Sequence, residues 1–186
     1  YFGFFNFREI ARDNVLMGRV QANLLTARLM VKDYIKTGST ASVDQFNQRF
    51  ASLETFMKEA HTSINDPDRK KRIDSISSEL NLYREGFTTL QTMRAQRNEI
   101  VNKRLNILGK NMRENLTEIM KSAYKDKDGT ASYYAGRCQE HLILGRLFVI
   151  KYLEDNSNEN YERAITEFGK EMDVVLNPLD NNLSNP

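Results

Sequence analysis

Arg28 and Arg146 are the first residues to raise a question of chemistry. Each interrupts an apolar helical stripe seven residues after a glutamine, Gln21 in one case and Gln139 in the other. A guanidinium buried in a helical bundle without a counter-charge is strongly destabilising, so it must meet an anion. That anion is either a Glu or Asp of another helix or a bound carboxylate, and the planar fork of Arg offers a carboxylate two parallel hydrogen bonds. Arg19 and Arg137 lie at the edge of the same stripes, where a solvated or subunit-interface charge is the plainer role. Arg94 and Arg97 interrupt a third stripe before it resumes at Val101, Leu105, Leu108 and Met112, and they form either a polar joint or a further ligand contact. With His141, these residues make up the candidate ligand-binding set.

The other chemistry is sparse. There is no Gly-rich phosphate loop, no Ser/His/Asp arrangement and no pair of carboxylates suited to acid–base work, so the reading is a protein that is not an enzyme. The lone Cys138 excludes an internal disulfide and a Cys-based zinc site. It sits beside Arg137, which would lower a thiol pKa, although a small buried residue is the alternative role. His61 and His141 have no second ligand at a helical step, so neither a metal nor a cofactor is expected. A net charge of +2 is too small to imply nucleic acid.

The paired arginines belong to a duplication. Without a gap, Gly18 to Ile35 and Gly136 to Leu153 agree at Gly18/Gly136, Arg19/Arg137, Gln21/Gln139, Leu24/Leu142, Arg28/Arg146, Leu29/Leu147, Val31/Val149 and Tyr34/Tyr152. About one such match is expected by chance, so the two segments are copies of one element. His141 replaces Asn23, a place where the copies differ in ligand choice. A second amphipathic stretch follows each copy: Phe46, Phe50, Leu53 and Met57 correspond to Tyr161, Ile165, Phe168 and Met172.

Helical periodicity and only three prolines point to an all-α chain. The first helix spans about 4–36, with its seam at Phe7, Ala11, Asn14, Met17, Gln21, Leu24, Arg28, Val31 and Ile35. Thr37-Gly38-Ser39-Thr40 ends it, and a second helix follows at about 42–63. Asn65-Asp66-Pro67 stops and restarts the chain. The third helix, about 68–124, has the seam Ile73, Ile76, Leu80, Tyr83, Phe87 and Leu90. At 1.5 Å per residue it would be roughly 80 Å long, which implies a rod. A charged turn around Gly129 leads to a fourth helix at about 132–154 and a fifth at about 159–176, and the pattern fades after Asn177-Pro178. The expected organisation is one bimodular domain over 1–186. Module one is about 14–93, and module two is about 94–186 together with the start of the first helix, 1–13. The aromatic start and the Asn185-Pro186 stop look like cuts through longer helices, so a sixth helix and flanking membrane spans are expected outside this sequence.

The stretches NLLTARLMVKDYIKTGS at 23–39, LNLYREGFTTLQTMRAQRNEIVNKRLNILGKNM at 80–112 and GRCQEHLILGRLFVIKYLEDN at 136–156 resemble the helical bimodular sensor domain of bacterial chemoreceptors (methyl-accepting chemotaxis proteins), which also occurs in some sensor histidine kinases. The resemblance covers nearly the whole chain and rests on helix order and duplication. It implies two stacked four-helix bundles sharing long helices, the final helix being absent here. It further implies a side-by-side homodimer, anchored in the inner membrane and facing the periplasm. A small organic acid is the implied ligand, with one potential pocket per module and some contacts crossing the dimer interface. The sensor domain of a histidine kinase, reading either a free ligand or a periplasmic binding protein, is the nearest alternative. A structural helical adaptor, whose arginines pair only with internal acids, is the alternative of another class.

Overall fold

The structure, a computed structural model, describes residues 2–184 and the side chains of 8–183. The side chains of the aromatic start, Phe7 of the expected seam among them, and the Asn185-Pro186 stop lie outside those limits. The described residues are all-α, with no strand among them. The chain divides into two compact units at Gln96/Arg97.

The first unit packs α1 (Phe2–Thr37), α2 (Thr40–Ser63) and α3 (Pro67–Glu99). Gly38 reverses the chain after α1 with φ 70°, the left-handed conformation that glycine adopts without strain. A Cβ there would also sit 2.5 Å from Arg94 Nε. Asp66 caps α3 by accepting the Arg69 N–H at 2.9 Å, and Pro67 fills the first helical position. The face expected for α2 is observed, with Phe46, Phe50, Leu53 and Met57 all buried. Phe46 lies 4.6 Å from Phe50 and 4.2 Å from Phe87 between ring centroids. Tyr34 meets Phe87 edge-on at 5.4 Å. Burying each such side chain contributes about 1.5–3 kcal/mol.

The start of α1 belongs to this unit and not, as expected, to the second. Arg69 holds Asp13 at 3.2 Å, and Arg12 donates to the Ser63 carbonyl at 3.4 Å. The reason is antiparallel packing: α2 returns along α1, which brings the beginning of α1 to the α2–α3 turn.

The second unit packs α4 (Asn106–Asp126), α5 (Gly129–Asp155), α6 (Asn158–Thr166) and α7 (Met172–Ser184). Two π-turns, Ile100–Leu105 before α4 and Glu167–Glu171 between α6 and α7, complete it. Lys127 turns the chain with φ 58°. Asp128 then caps α5 by accepting the Thr130 and Ala131 N–H groups at 3.0 and 2.9 Å. Those backbone donors and Asn182 hold the Asp128 carboxyl below its ordinary pKa.

Each π-turn inserts one residue into a helix and moves its buried stripe around the axis. Along the long helix the inward positions step by seven from Ile73 through Leu80, Phe87 and Arg94 to Val101. After the π-turn they resume eight residues later at Gly109, followed by Leu116 and Ala123. The expected continuation at Leu105, Leu108 and Met112 is therefore exposed. In the last helices the stripe passes from Ala164 and Glu167 to Met172, Val175 and Leu179. Tyr161, Ile165 and Phe168, matched to buried residues of α2, consequently face outward or sit at the edge. The helix also continues through Pro178 instead of fading there. Burial of Val175 and Leu179 and the bond from Asn182 Nδ2 to Asp128 Oδ2, 2.9 Å long, offset an interior proline that costs about 3 kcal/mol.

Candidate functional site

The two π-turns border the same cavity. It opens between α4 and α5 in the second unit, encloses about 240 Å3, and is walled by Val101 and Leu105 of the first π-turn, Leu142 and Val149 of α5, and Phe168 of the second. Irregular helix turns of this kind frequently occur at functional sites. Two glycines shape the walls. A Cβ at Gly109 would lie 3.0 Å from Arg146 Cδ and Nε, so the arginine rests directly on the α4 backbone. A Cβ at Gly145 would lie 2.8 Å from the Phe168 ring, so that ring rests on α5. Glycine inside a helix costs about 1 kcal/mol relative to alanine, and here the cost is tied to two close approaches.

Among the described residues, Arg146 is the only charged side chain lining the cavity. Among the described residues it has no ion-pair or hydrogen-bond partner, although it is half-buried. It therefore presents an unused bidentate donor beside a hydrocarbon wall.

Its counterpart behaves differently. Arg28 and Gln21 are exposed, and the buried stripe of α1 is Leu16, Val20, Ala27 and Tyr34. The expected seam is thus displaced by one residue, because the small Ala27, wholly buried, carries little hydrophobic signal while Leu24 and Val31 border both stripes. Burial pushes the Tyr83 hydroxyl above its ordinary pKa, and the Arg28 charge offsets part of that rise. The requirement for an anion at Arg28 does not arise, since water solvates the guanidinium. Arg19 is also exposed, with its guanidinium 5.8 Å from the Phe56 ring centroid.

The remaining candidates are used internally or stand apart. Arg94 donates to the carbonyls of Tyr34 and Ile35 at 3.2 and 2.8 Å, closing the last turn of α1. Arg97 bonds its neighbour Asn98, with Nη2 3.2 Å from Oδ1. Arg137 pairs with Glu140 at 2.5 Å and lies 3.3 Å from His141 Nε2. His141 Nδ1 faces Glu167 Oε2 at 2.7 Å, and both residues are buried. Gln139 is half-buried. Of these nine residues, only Arg146 lines the cavity.

His141 and Glu167 have a local role. The pair ties α5 to the first residue of the second π-turn, immediately before Phe168, and so fixes the turn that closes one wall. Cys138 is a core residue whose thiol pKa is raised by burial, so its neighbour Arg137 does not activate it. Among the described residues no group of three His, Cys, Asp or Glu side chains could hold a metal, and no helix is long and apolar enough to cross a membrane.

Glu167, Gly109 and Asn106 are residues in or beside the site that periodicity alone passes over, and Phe168 is one that it assigns to the buried face of a helix and not to a cavity wall. The available signal was glycine inside helical patterns, at 109 and 145, where a close packing reason is the usual explanation. No protein-family model matches the chain, and no curated protein or solved structure shows significant similarity to it.

Proposed function

We propose that this chain is the extracytoplasmic ligand-binding domain of a bacterial chemoreceptor of the helical bimodular kind, taking up a small organic acid in its second unit. The observation that carries the reading is Arg146, a half-buried guanidinium without an internal anion on the wall of an otherwise apolar cavity. The duplicated helices and their order support the family assignment. A bound carboxylate would favour the packing of α4 against α5 that best surrounds it, and the shift is limited by its difference in affinity for the two packings. A displacement of ~1–2 Å along helices is the scale such sensors require.

A homodimer fits the outer face of α1. Ala11, Val15, Gly18, Ala22, Leu25 and Leu29 repeat there at alternating steps of four and three and are all exposed. Arg28 and Asp33 flank this stripe five residues apart, a spacing that brings opposite charges together across a parallel two-stranded coil. Membrane anchoring and a periplasmic setting belong to the same proposal and rest on the family resemblance.

The test is a thermal-shift screen against mono-, di- and tricarboxylates, amino acids and amines. Saturation about a hundredfold above Kd stabilises by about 2.7 kcal/mol, so a hit raises Tm by several degrees. Arg146→Ala should abolish that rise, whereas Arg28→Ala should retain it. No shift from any carboxylate, with the chain folded, would sink the proposal and point to a protein partner.

A further inference from the structure

The lining of the Arg146 cavity restricts the kind of anion it receives. Apart from Arg146 and Asn106, every lining residue among those described carries a hydrocarbon or thioether side chain or is glycine. A dicarboxylate bound here would place one charge on Arg146 and bury the other against Leu, Val, Ile or Phe, with only the Asn106 amide to solvate it. An ionised carboxylate without a counter-charge is poorly tolerated in such surroundings. An apolar cavity of about 150 Å3 already takes benzene, and this one, at about 240 Å3, has room for a ring and a short chain.

We infer that the cavity binds an amphiphilic monocarboxylate, aryl or medium-chain alkyl, with its carboxylate on the Arg146 fork and its apolar body between α4 and α5 against Phe168. The inference rests on the carboxylate-binding reading above and narrows it to one chemical class. Gly109 and Gly145 fit that arrangement: the first lets Arg146 lie flat at the wall, and the second lets the Phe168 ring pack down on α5. The headgroup contact is then polar and directional, while most of the affinity comes from removing hydrocarbon from water.

Calorimetric titration of the full 186-residue chain with phenylpropanoate, succinate and phenylpropanol separates the possibilities. Phenylpropanoate should bind about tenfold or more tightly than either of the others, a difference of about 1.4 kcal/mol. Arg146→Gln should weaken the acid by about tenfold and leave the alcohol unchanged, which also shows that the variant is folded. Leu108→Trp, at an exposed wall position, should block the acid while Arg146 remains. Succinate binding more tightly than phenylpropanoate, and doing so through Arg146, would overturn the apolar class and leave the carboxylate reading standing. Equal affinity for acid and alcohol would overturn the role of Arg146. Binding by no carboxylate, with helicity intact, would overturn both the inference and the proposal on which it rests.

Discussion

His141 and Glu167 show what a buried polar pair does when its partners lie on different helices. Their 2.7 Å contact joins α5 to the second π-turn, and Arg163 adds only a distant approach of 4.0 Å to the carboxylate. Removing one member leaves the other buried without its partner, at a cost of about 3 kcal/mol or more. Glu167→Ala should therefore lower stability by about that amount in denaturant titration, and hydrogen exchange should rise first around 167–171. A loss below about 0.5 kcal/mol would show that the pair is not structurally important. At this scale the sequence was only partly legible. The duplication marks Arg146 as a residue with a purpose, yet it marks Arg28 equally. The difference lies in tertiary surroundings: Arg146 rests on Gly109 of a neighbouring helix, whereas Arg28 is in water. Glu167 is buried at the start of the second π-turn, an interruption that no sequence period marks.

The helices themselves were far easier to read, because α2 keeps an unbroken period and its four large apolar residues are all buried. Turn chemistry was equally plain at Gly38 and Pro67. Pattern reading failed downstream of the first π-turn and upstream of and within the second, where a step that ignores the extra residue assigns the wrong face. It failed in α1 for another reason, since alanine in a core position is nearly silent in a hydrophobic pattern. The π-turn at Ile100–Leu105 makes a prediction of its own. Deleting the exposed Asn102 would return the step from Val101 to the next inward position to seven, so both cores keep their residues. Circular dichroism should show full helicity and a Tm within a few degrees of the parent. The ligand-induced rise in Tm should disappear, because Val101 and Leu105 no longer flank the cavity as they do now. A deletion variant that still responds to ligand would separate the π-turn from binding.

For the whole molecule, two hydrophobic cores in one chain mean that stability and recognition need not share residues. The first core is rich in aromatic side chains, Tyr34, Phe46, Phe50 and Phe87 among them. The second is built from smaller residues such as Ala131, Ala135 and Cys138, with the cavity at its side. The outer face of α1 carries the prediction at this scale. Charges placed on the exposed stripe by Leu25→Glu with Leu29→Glu should leave the melting curve of the isolated chain within about 0.5 kcal/mol, while sedimentation changes from dimer to monomer. A parent that sediments as a monomer at every concentration would remove the dimer from the proposal. The Arg94 clasp has a mechanical consequence. Its two hydrogen bonds fasten the Tyr34 end of α1 to α3, whereas the Asp13 end is held by a partly exposed ion pair to Arg69 and a long hydrogen bond from Arg12 to the Ser63 carbonyl. The fastened end is a fulcrum and the rest of α1 its lever arm. From Tyr34 to Asp13 that arm is roughly 30 Å, so a tilt of about 3° carries its far end through roughly 1.5 Å without loosening a single bond at the clasp.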